Sequence, residues 1–263
     1  MSLPTTGLHD GIPEAEYHAD RASLSSTGAK TIVTHGLRAF RWQQDHPVHK
    51  AEFDLGSVVH ALILGVGDYT VIDHDSWRTK AAQTERDDAR AAGSTPILAK
   101  DHAAAQDMAD AVLSHKLAAA ILTDGRPEVS MWHEEPETGV VMRGRADYLR
   151  DGYLVDLKTA AGAIDPWSFE RKVWDLRYSL QMYWYTRILE LNGVEAAPLW
   201  VVVSKDQPHE VYVSQPSAEL MERGREDAER ALRLYADALL TGKWPGLVDD
   251  QEIHTIDVPR WMS

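Results

Sequence analysis

The stretch from Gly144 to Thr159, GRADYLRDGYLVDLKT, constrains this chain more than any other. Alternating residues on both sides of Asp151-Gly152 predict a β-hairpin closed by a two-residue turn, because Asp-Gly readily takes the backbone conformations such turns need. Counting outward sets the register: Arg150 faces Tyr153, Leu149 faces Leu154, Tyr148 faces Val155 and Asp147 faces Asp156. Directly opposed side chains lie about 5 Å apart at Cβ, so two carboxylates would stand side by side. Like charges there destabilise a sheet unless something holds them, and a hard divalent cation is the obvious holder. Lys158 projects to the same face as Asp156, about 6.6 Å along the strand. An acid pair with a lysine beside it is what metal-assisted phosphodiester hydrolysis needs.

Composition limits the metal. The chain contains no cysteine, which removes disulfides, thiolate zinc sites and cysteine-ligated iron–sulfur clusters together. An ion must then be held by oxygen and imidazole, a donor set that favours magnesium or manganese, with one or two ions per site. The net charge of −14 argues against general coating of nucleic acid, yet leaves room for a local basic channel. A length of 263 residues allows a substantial core, and 44% hydrophobic with 26% charged residues is ordinary for a water-soluble domain. No apolar run reaches the ~18 residues a membrane span needs. The opening MSLPTTGLHDGIPEAEYH lacks a basic region followed by an apolar one, so no secretory signal is expected.

Residues 1 to 20 show no periodicity and read as irregular. From Leu24, LSSTGAKTIVTHGLRAFRWQQ reads as a helix opening on a serine cap, with Ala29, Ile32 and Val33 as its apolar stripe. It is either a packing helix or one from which Ser25, Ser26, Lys30 or Arg38 touches phosphate. Asp54 reads as the cap of a second helix, LGSVVHALILG, apolar enough for burial on most sides and carrying His60. By spacing alone, a single histidine in a buried helix is more often a packed core residue than a ligand. Residues 73 to 116 are polar and helical in pattern, interrupted at Gly93-Ser94-Thr95-Pro96, with a further helix from about Lys100 to Leu122. A helical insertion at about 73–122, lying over the second helix, is therefore expected. Strand pattern begins at Glu128 with EVSMWHEE and continues through a turn at 136–139 to VVMRGRADYL and YLVDLKT, a three-stranded antiparallel meander. Asp165-Pro166 opens one long helix that runs to about Leu191 and stops before Asn192-Gly193. On it Tyr178, Gln181 and Tyr185 are three and four apart and share a face. LWVVVS (199–204) reads as a central strand, EVYVS (210–214) as its neighbour, and Pro216 to Leu240 as a final amphipathic helix. With neither a repeat nor a low-complexity linker, 1–263 reads as a single α/β domain.

That order of elements resembles the PD-(D/E)xK nuclease superfamily, whose core runs helix, three strands, helix, strand. Arg145-Ala146-Asp147 stands where the superfamily has Pro-Asp, alanine replacing proline, and Asp156-Leu157-Lys158 is the D-x-K half of the motif. GSVVHALIL is similar to the glycine-to-histidine helix of the RecE-like phage exonucleases, of the exonuclease VIII type. LSSTGAKTIV, PEVSMW, GRADYL, LVDLKTA and YSLQMYWY resemble their other blocks in the same order, so the resemblance spans about Ser23 to Leu191. It implies a PD-(D/E)xK nuclease core, a central mixed sheet of about five strands flanked by helices, with helical insertions. It implies Asp147 and Asp156 as metal ligands, with the Leu157 carbonyl, His60 and Glu128 as further ligands. Lys158 would orient or help deprotonate the attacking water, or stabilise charge on the phosphate. Gln181 and Tyr185 match the Q-x-x-x-Y helix motif, which positions the water, the lysine or the DNA backbone. Ser25, Ser26, Arg145 and Tyr178 are candidates for DNA contact, Arg145 because the hairpin register places it opposite Lys158. Each residue has a plainer alternative. Lys158 and Asp156 could form a surface ion pair worth under about 1 kcal/mol. Asp147 could be a turn-flanking acid, Glu128 a strand-edge acid, Arg145 a surface arginine and Tyr185 simple core.

The activity this resemblance implies is a metal-dependent 5′→3′ exonuclease on linear double-stranded DNA, leaving 3′ single strands for recombination. Magnesium or manganese would serve it, without an iron–sulfur cluster. Such relatives form homo-oligomeric rings, here a trimer or tetramer, and work with a single-strand annealing protein, away from any membrane. The expected setting is the cytoplasm of a bacterial host, with the gene carried by a phage or prophage. A ring also lets an acidic chain handle DNA, since a basic channel needs few arginines per subunit. An endonuclease, a CRISPR- or repair-associated nuclease of the same superfamily, or a catalytically inactive DNA-binding module are the alternatives. The intact Asp147, Asp156 and Lys158 speak against the last.

Overall fold

Between 126 and 160 strand-forming residues alternate with polar ones, and this segment is the spine of the structure. The computed structural model describes residues 4–46, 51–248, 252–256 and 258. In chain order its elements are β1 (Gly7–His9), α1 (Glu14–Ala19), β2 (Leu24–Ser25), α2 (Ser26–Asp45), α3 (Ala51–Leu64), β3 (Tyr69–Ile72), α4 (Lys80–Ala91), β4 (Thr95–Leu98), α5 (Ala99–Ser114), α6 (Lys116–Ile121), β5 (Arg126–Glu134), β6 (Val141–Arg150), β7 (Gly152–Ala160), α7 (Pro166–Asp175), α8 (Tyr178–Leu191), β8 (Ala196–Ser204), β9 (Val211–Ser214) and α9 (Ala218–Thr241).

The main sheet has the order β1-β5-β6-β7-β8-β9, with β2 pairing β6 to one side. The five strands β5 to β9 are the expected core; β1 extends it from a region read as irregular, and β2 takes the first two residues of the stretch read as helix from Leu24, so that α2 begins at Ser26. β5, β6 and β7 form the expected antiparallel meander, and β8 returns parallel to β7. A parallel strand must be covered on both faces, and Leu199 through Val203 are all buried. One face carries α3, α5 and α6, packed through Val58, Met108 and Val112 against Val155, Leu157 and Val201. The other carries α2, α8 and α9, packed through Ile32, Trp184, Ile188 and Leu232 against Val129, Met131 and Leu154. On this second face of β7, Leu154 belongs to that cluster and Ala160 to a separate one with Phe169, Met182 and Trp200. Asp156 and Lys158 occupy the gap between the two apolar clusters.

Several expected boundaries shift. Asp54 lies inside α3 rather than at its start, and its buried carboxylate takes Arg90 Nη2 at 2.9 Å. The segment at 73–122 is not wholly helical: Thr95–Leu98 pairs in parallel with Tyr69–Ile72, because Ile97 and Leu98 bury where Gly93 and Pro96 read as a break. His115 divides the expected helix after it into α5 and α6. The single long helix from Pro166 is also two. The Leu176 N–H bonds back to the Lys172 carbonyl, Arg177 takes a left-handed conformation (φ 52), and α8 restarts at Tyr178. The Arg177 guanidinium is tied to Asp227 at 2.9 Å, a long-range partner that no local pattern reveals. Gly224 lets α9 approach α8: a Cβ there would lie 2.3 Å from the Ser179 carbonyl oxygen.

Candidate active site where β6 and β7 separate

The β6–β7 ladder follows the expected register from Arg150↔Tyr153 to Tyr148↔Val155 and ends there. The next step differs from expectation. Asp147 and Asp156 are not a ladder pair; instead Asp147 Oδ2 accepts the Leu157 N–H at 2.6 Å. A side-chain carboxylate thus takes the place of a main-chain acceptor, while β7 stays paired with β8 as far as Ala160↔Ser204. The two strands part at Asp147, and groups from both helical layers enter the opening.

Glu128 enters from β5. Pairing on either side of it, Pro127↔Tyr148 and Val129↔Ala146, places it next to Asp147. Its backbone is left-handed (φ 50), a conformation that costs a non-glycine residue of order 1–3 kcal/mol and gathers at functional sites. His60 enters from α3, with Nδ1 3.8 Å from Asp147 Oδ2. Ligand atoms of His60, Glu128 and Asp147 all lie within 4.8 Å of one another. Burial, then Asp147, pushes the Glu128 carboxyl up to about 8. Asp147 is raised too: burial and Asp156 outweigh the nearby His60 and Lys158 and the Leu157 N–H. Two desolvated carboxylates that oppose each other's ionisation, with an imidazole alongside, are relieved by a hard divalent cation and suit its preference for oxygen and nitrogen. The residues present fit the implied magnesium or manganese.

Asp156 is not part of that trio. It is 1% exposed; Oδ1 accepts Gln181 Nε2 at 2.8 Å, and Oδ2 meets the Lys158 ammonium at 2.5 Å. This ion pair is buried, unlike the surface pair considered from sequence. Burial pulls the Lys158 pKa down, but Asp156 and Asp147 together hold it above the ordinary value. The lysine of the motif therefore stays protonated beside its acids.

A second lysine shares the site. Lys30 on α2 donates to Gln181 Oε1 at 2.7 Å, and burial, followed by repulsion from Lys158, lowers it to about 7. Both ammonium groups lie against the Tyr178 ring, Lys30 at 5.1 Å and Lys158 at 4.9 Å from its centroid. One turn along each helix, Ser26 lies beside Tyr185, whose hydroxyl accepts Gln181 Nε2 at 3.3 Å. Burial lifts the Tyr185 phenol well above its usual value, so it remains a neutral hydroxyl. Two contacts, Ser26 with Tyr185 and Lys30 with Gln181, hold α2 against α8. Sequence reading offered Lys30 for phosphate contact only; the one-turn spacing of Ser26 and Lys30, matching that of Gln181 and Tyr185, is the signal that links it to this network. Gly144 admits the Tyr185 ring, since a Cβ there would lie 2.7 Å from Tyr185 Cδ1.

The remaining candidates divide. The Ser25 hydroxyl caps α2 by accepting the Gly28 N–H at 3.1 Å. The Leu157 side chain packs in the core on the α3 face, and its N–H is the one held by Asp147. Arg38 lies against the C-terminal segment, its N–H bonded to the Pro245 carbonyl. Arg145 corrects the hairpin reading: it pairs with Ser130 on β5 rather than facing Lys158, because the ladder it was counted along stops short. Its guanidinium donates to Ser130 Oγ at 2.9 Å and to the Ile12 carbonyl at 2.7 Å, lies over Tyr17, and reaches Glu128 at 3.9 Å. It is a part-buried support behind Glu128. Tyr17 and Asp20 carry no local signal, because residues 1–20 lack periodicity. Asp20 takes Trp132 Nε1 at 3.1 Å and the Ala22 N–H at 2.8 Å, bonds Ser23, and pairs with Arg143 at 3.3 Å.

Residues 37–254 match the sequence profile of the PDDEXK-like domain of unknown function (DUF3799). Among solved structures, a Eubacterium rectale protein named as a candidate exonuclease superposes with a TM-score of 0.65 at 13% identity, covering 95% of this chain and 97% of that one. SSO0001 aligns at 14% identity over 73% of this chain and 86% of its own, with a TM-score of 0.30. No curated protein matches by sequence.

Proposed function

Because this chain belongs to the PDDEXK-like family over residues 37–254, we propose that it is a metal-dependent exonuclease acting on linear double-stranded DNA. Family and fold support a nuclease. The observation that carries the finer reading is the meeting of His60, Glu128 and Asp147 beside the buried Asp156–Lys158 pair.

Phosphodiester hydrolysis needs a nucleophilic water and relief of the charge that builds on the phosphate. A divalent cation held by His60, Glu128 and Asp147 would supply Lewis acidity toward phosphate oxygens and acidify water. Lys158, kept protonated by its acid neighbours, offers positive charge to the phosphate rather than a base to the water. Gln181 fixes the Asp156 carboxylate by one amide atom and Lys30 by the other. The Tyr178 ring lies against both lysines. Together these contacts pre-orient the donors, which is where most of such a site's rate advantage arises.

The proposal extends to magnesium or manganese as the ion, to 5′→3′ polarity with 3′ single strands as product, and to a homo-oligomeric ring partnered by a single-strand annealing protein. No helix among the described residues is long and apolar enough to cross a membrane. The test is digestion of linear and closed-circular duplexes, labelled at either end, with Mg²⁺, by wild type and Asp156→Ala. Release of 5′ label from linear DNA by wild type alone is expected. Equal activity of both proteins, or of neither, refutes the site, and defined cuts in circular DNA make the enzyme an endonuclease.

A further inference from the structure

Helix α2 is folded back on itself. Gly36 lies inside it with a non-helical backbone (φ 86, ψ 168), a conformation open chiefly to glycine. Residues 12 apart across this break meet: the Thr31 hydroxyl donates to Gln43 Oε1 at 3.4 Å, and a Cβ at Gly28 would lie 2.8 Å from Phe40 Cε2. In a straight helix such pairs would be about 18 Å apart. Residues 26–35 and 37–45 are therefore the two arms of a helical hairpin.

The first arm presents Ser26 and Lys30, four residues apart on one face, to Tyr185 and Gln181 of α8. Gly28 stands about 200° round from Ser26, on the opposite face. The Phe40 ring is seated there. It is buried, meets Tyr235 edge-on at 5.6 Å and is stacked with Trp244 at 6.2 Å. The turn that carries Ser26 and Lys30 is thus gripped between α8 in front and Phe40 behind. Such a grip has work to do, because a buried amine is drawn back toward water. A short helical arm has too little stability of its own to resist that pull.

We infer that Phe40 is a positioning residue for the site: seated on Gly28, it presses Lys30 onto Gln181 and so fixes the Asp156–Lys158 pair. The inference rests on the nuclease reading above. Phe40 touches neither the proposed ion ligands nor the Asp156–Lys158 pair. Its influence passes through Gly28 to Lys30, from Lys30 to the Gln181 carbonyl, and from the Gln181 amide to Asp156. Small displacements of groups that orient a reacting centre cost rate far more than they cost binding.

The test uses the full chain and Phe40→Leu, which keeps an apolar side chain but withdraws the ring. In EDTA, where nothing is cleaved, a pulse of acetic anhydride followed by peptide mass spectrometry reads the reactivity of each lysine. Phe40→Leu should raise acetylation of Lys30 about tenfold, while Lys158, held as an ammonium by its acids, stays unreactive. Unchanged labelling of Lys30 overturns the inference, and so does an equal rise at Lys158, which would report general loosening. With Mg²⁺ and a linear duplex, Phe40→Leu should lower kcat about tenfold and leave KM within about twofold. In a Lys30→Met background it should lower kcat no further, since both changes remove one contact; additive losses would make Phe40 core packing only. Gly28→Ala, which sets a methyl against the ring, repeats both measurements if Phe40→Leu does not fold. Absence of cleavage by wild type removes the nuclease reading, while the acetylation result still decides whether Phe40 places Lys30.

Discussion

Lys30 offers the sharpest quantitative test, because its charge is buried against its own preference. Its pKa is about 7 in the folded protein against 10.5 for an ordinary lysine. At pH 6 folded and unfolded chains both hold the proton, and the folded state bears the whole cost of burying it. Between pH 7 and 10.5 the unfolded chain keeps a proton that the folded chain has lost, so stability rises with pH in that window. Going from pH 6 to pH 9 crosses about two units of it, at about 1.4 kcal/mol each. Relative to Lys30→Met, wild type should therefore gain about 2–3 kcal/mol of unfolding free energy over that range. Urea unfolding of both proteins at pH 6, 7.5 and 9 in EDTA measures this directly; titrations elsewhere in the site largely cancel in the difference. The lost hydrogen bond to Gln181 adds an offset that does not depend on pH. Parallel stability curves would show that Lys30 is not desolvated, and the shared Tyr178 arrangement would fall with it.

Glu128, pushed up to about 8, carries a proton at pH 7 that ligation must expel. Mn²⁺ titrated at pH 7 into buffers of different ionisation enthalpy should report about one proton released per site, and Glu128→Gln should cut that release; a heat independent of buffer contradicts the cluster. Gly144→Ala drives a methyl into the Tyr185 ring, so a loss of about 1–3 kcal/mol in urea unfolding and slower DNA cleavage are expected, and wild-type values for both would refute the contact. Asp20→Ala leaves the buried Arg143 guanidinium without its carboxylate, which should cost about 3–5 kcal/mol; a melting temperature unchanged from wild type would refute its burial.

Local pattern made the meander legible, because Asp151-Gly152 and the alternation around it act within a few residues. It could not reveal where the ladder ends, since that depends on Asp147 capturing the Leu157 N–H and on Glu128 leaving the regular strand conformation. His60, Glu128, Asp147, Lys158, Gln181 and Tyr185 were all named from sequence, and they do meet. What was misplaced follows from interactions distant in the chain: Arg145 turns to Ser130 and Ile12, and Arg177 breaks a helix to reach Asp227. The N-terminal twenty residues were opaque for the same reason. Their strand and short helix are held by Trp132, Arg143 and Arg145 rather than by any periodicity of their own.

The carboxylate that seals the opening between β6 and β7 also makes Asp147 an awkward residue to mutate. Alanine there would remove a cation ligand and unhook the Leu157 N–H in one stroke, so a dead Asp147→Ala enzyme would say little about chemistry. Asparagine keeps an oxygen for that N–H while removing the negative charge and exchanging the other carboxylate oxygen for an amide NH2. A folded but inactive Asp147→Asn would assign the full carboxylate to catalysis, and the stability gap between the asparagine and alanine variants would measure the strength of one side-chain rung in the sheet.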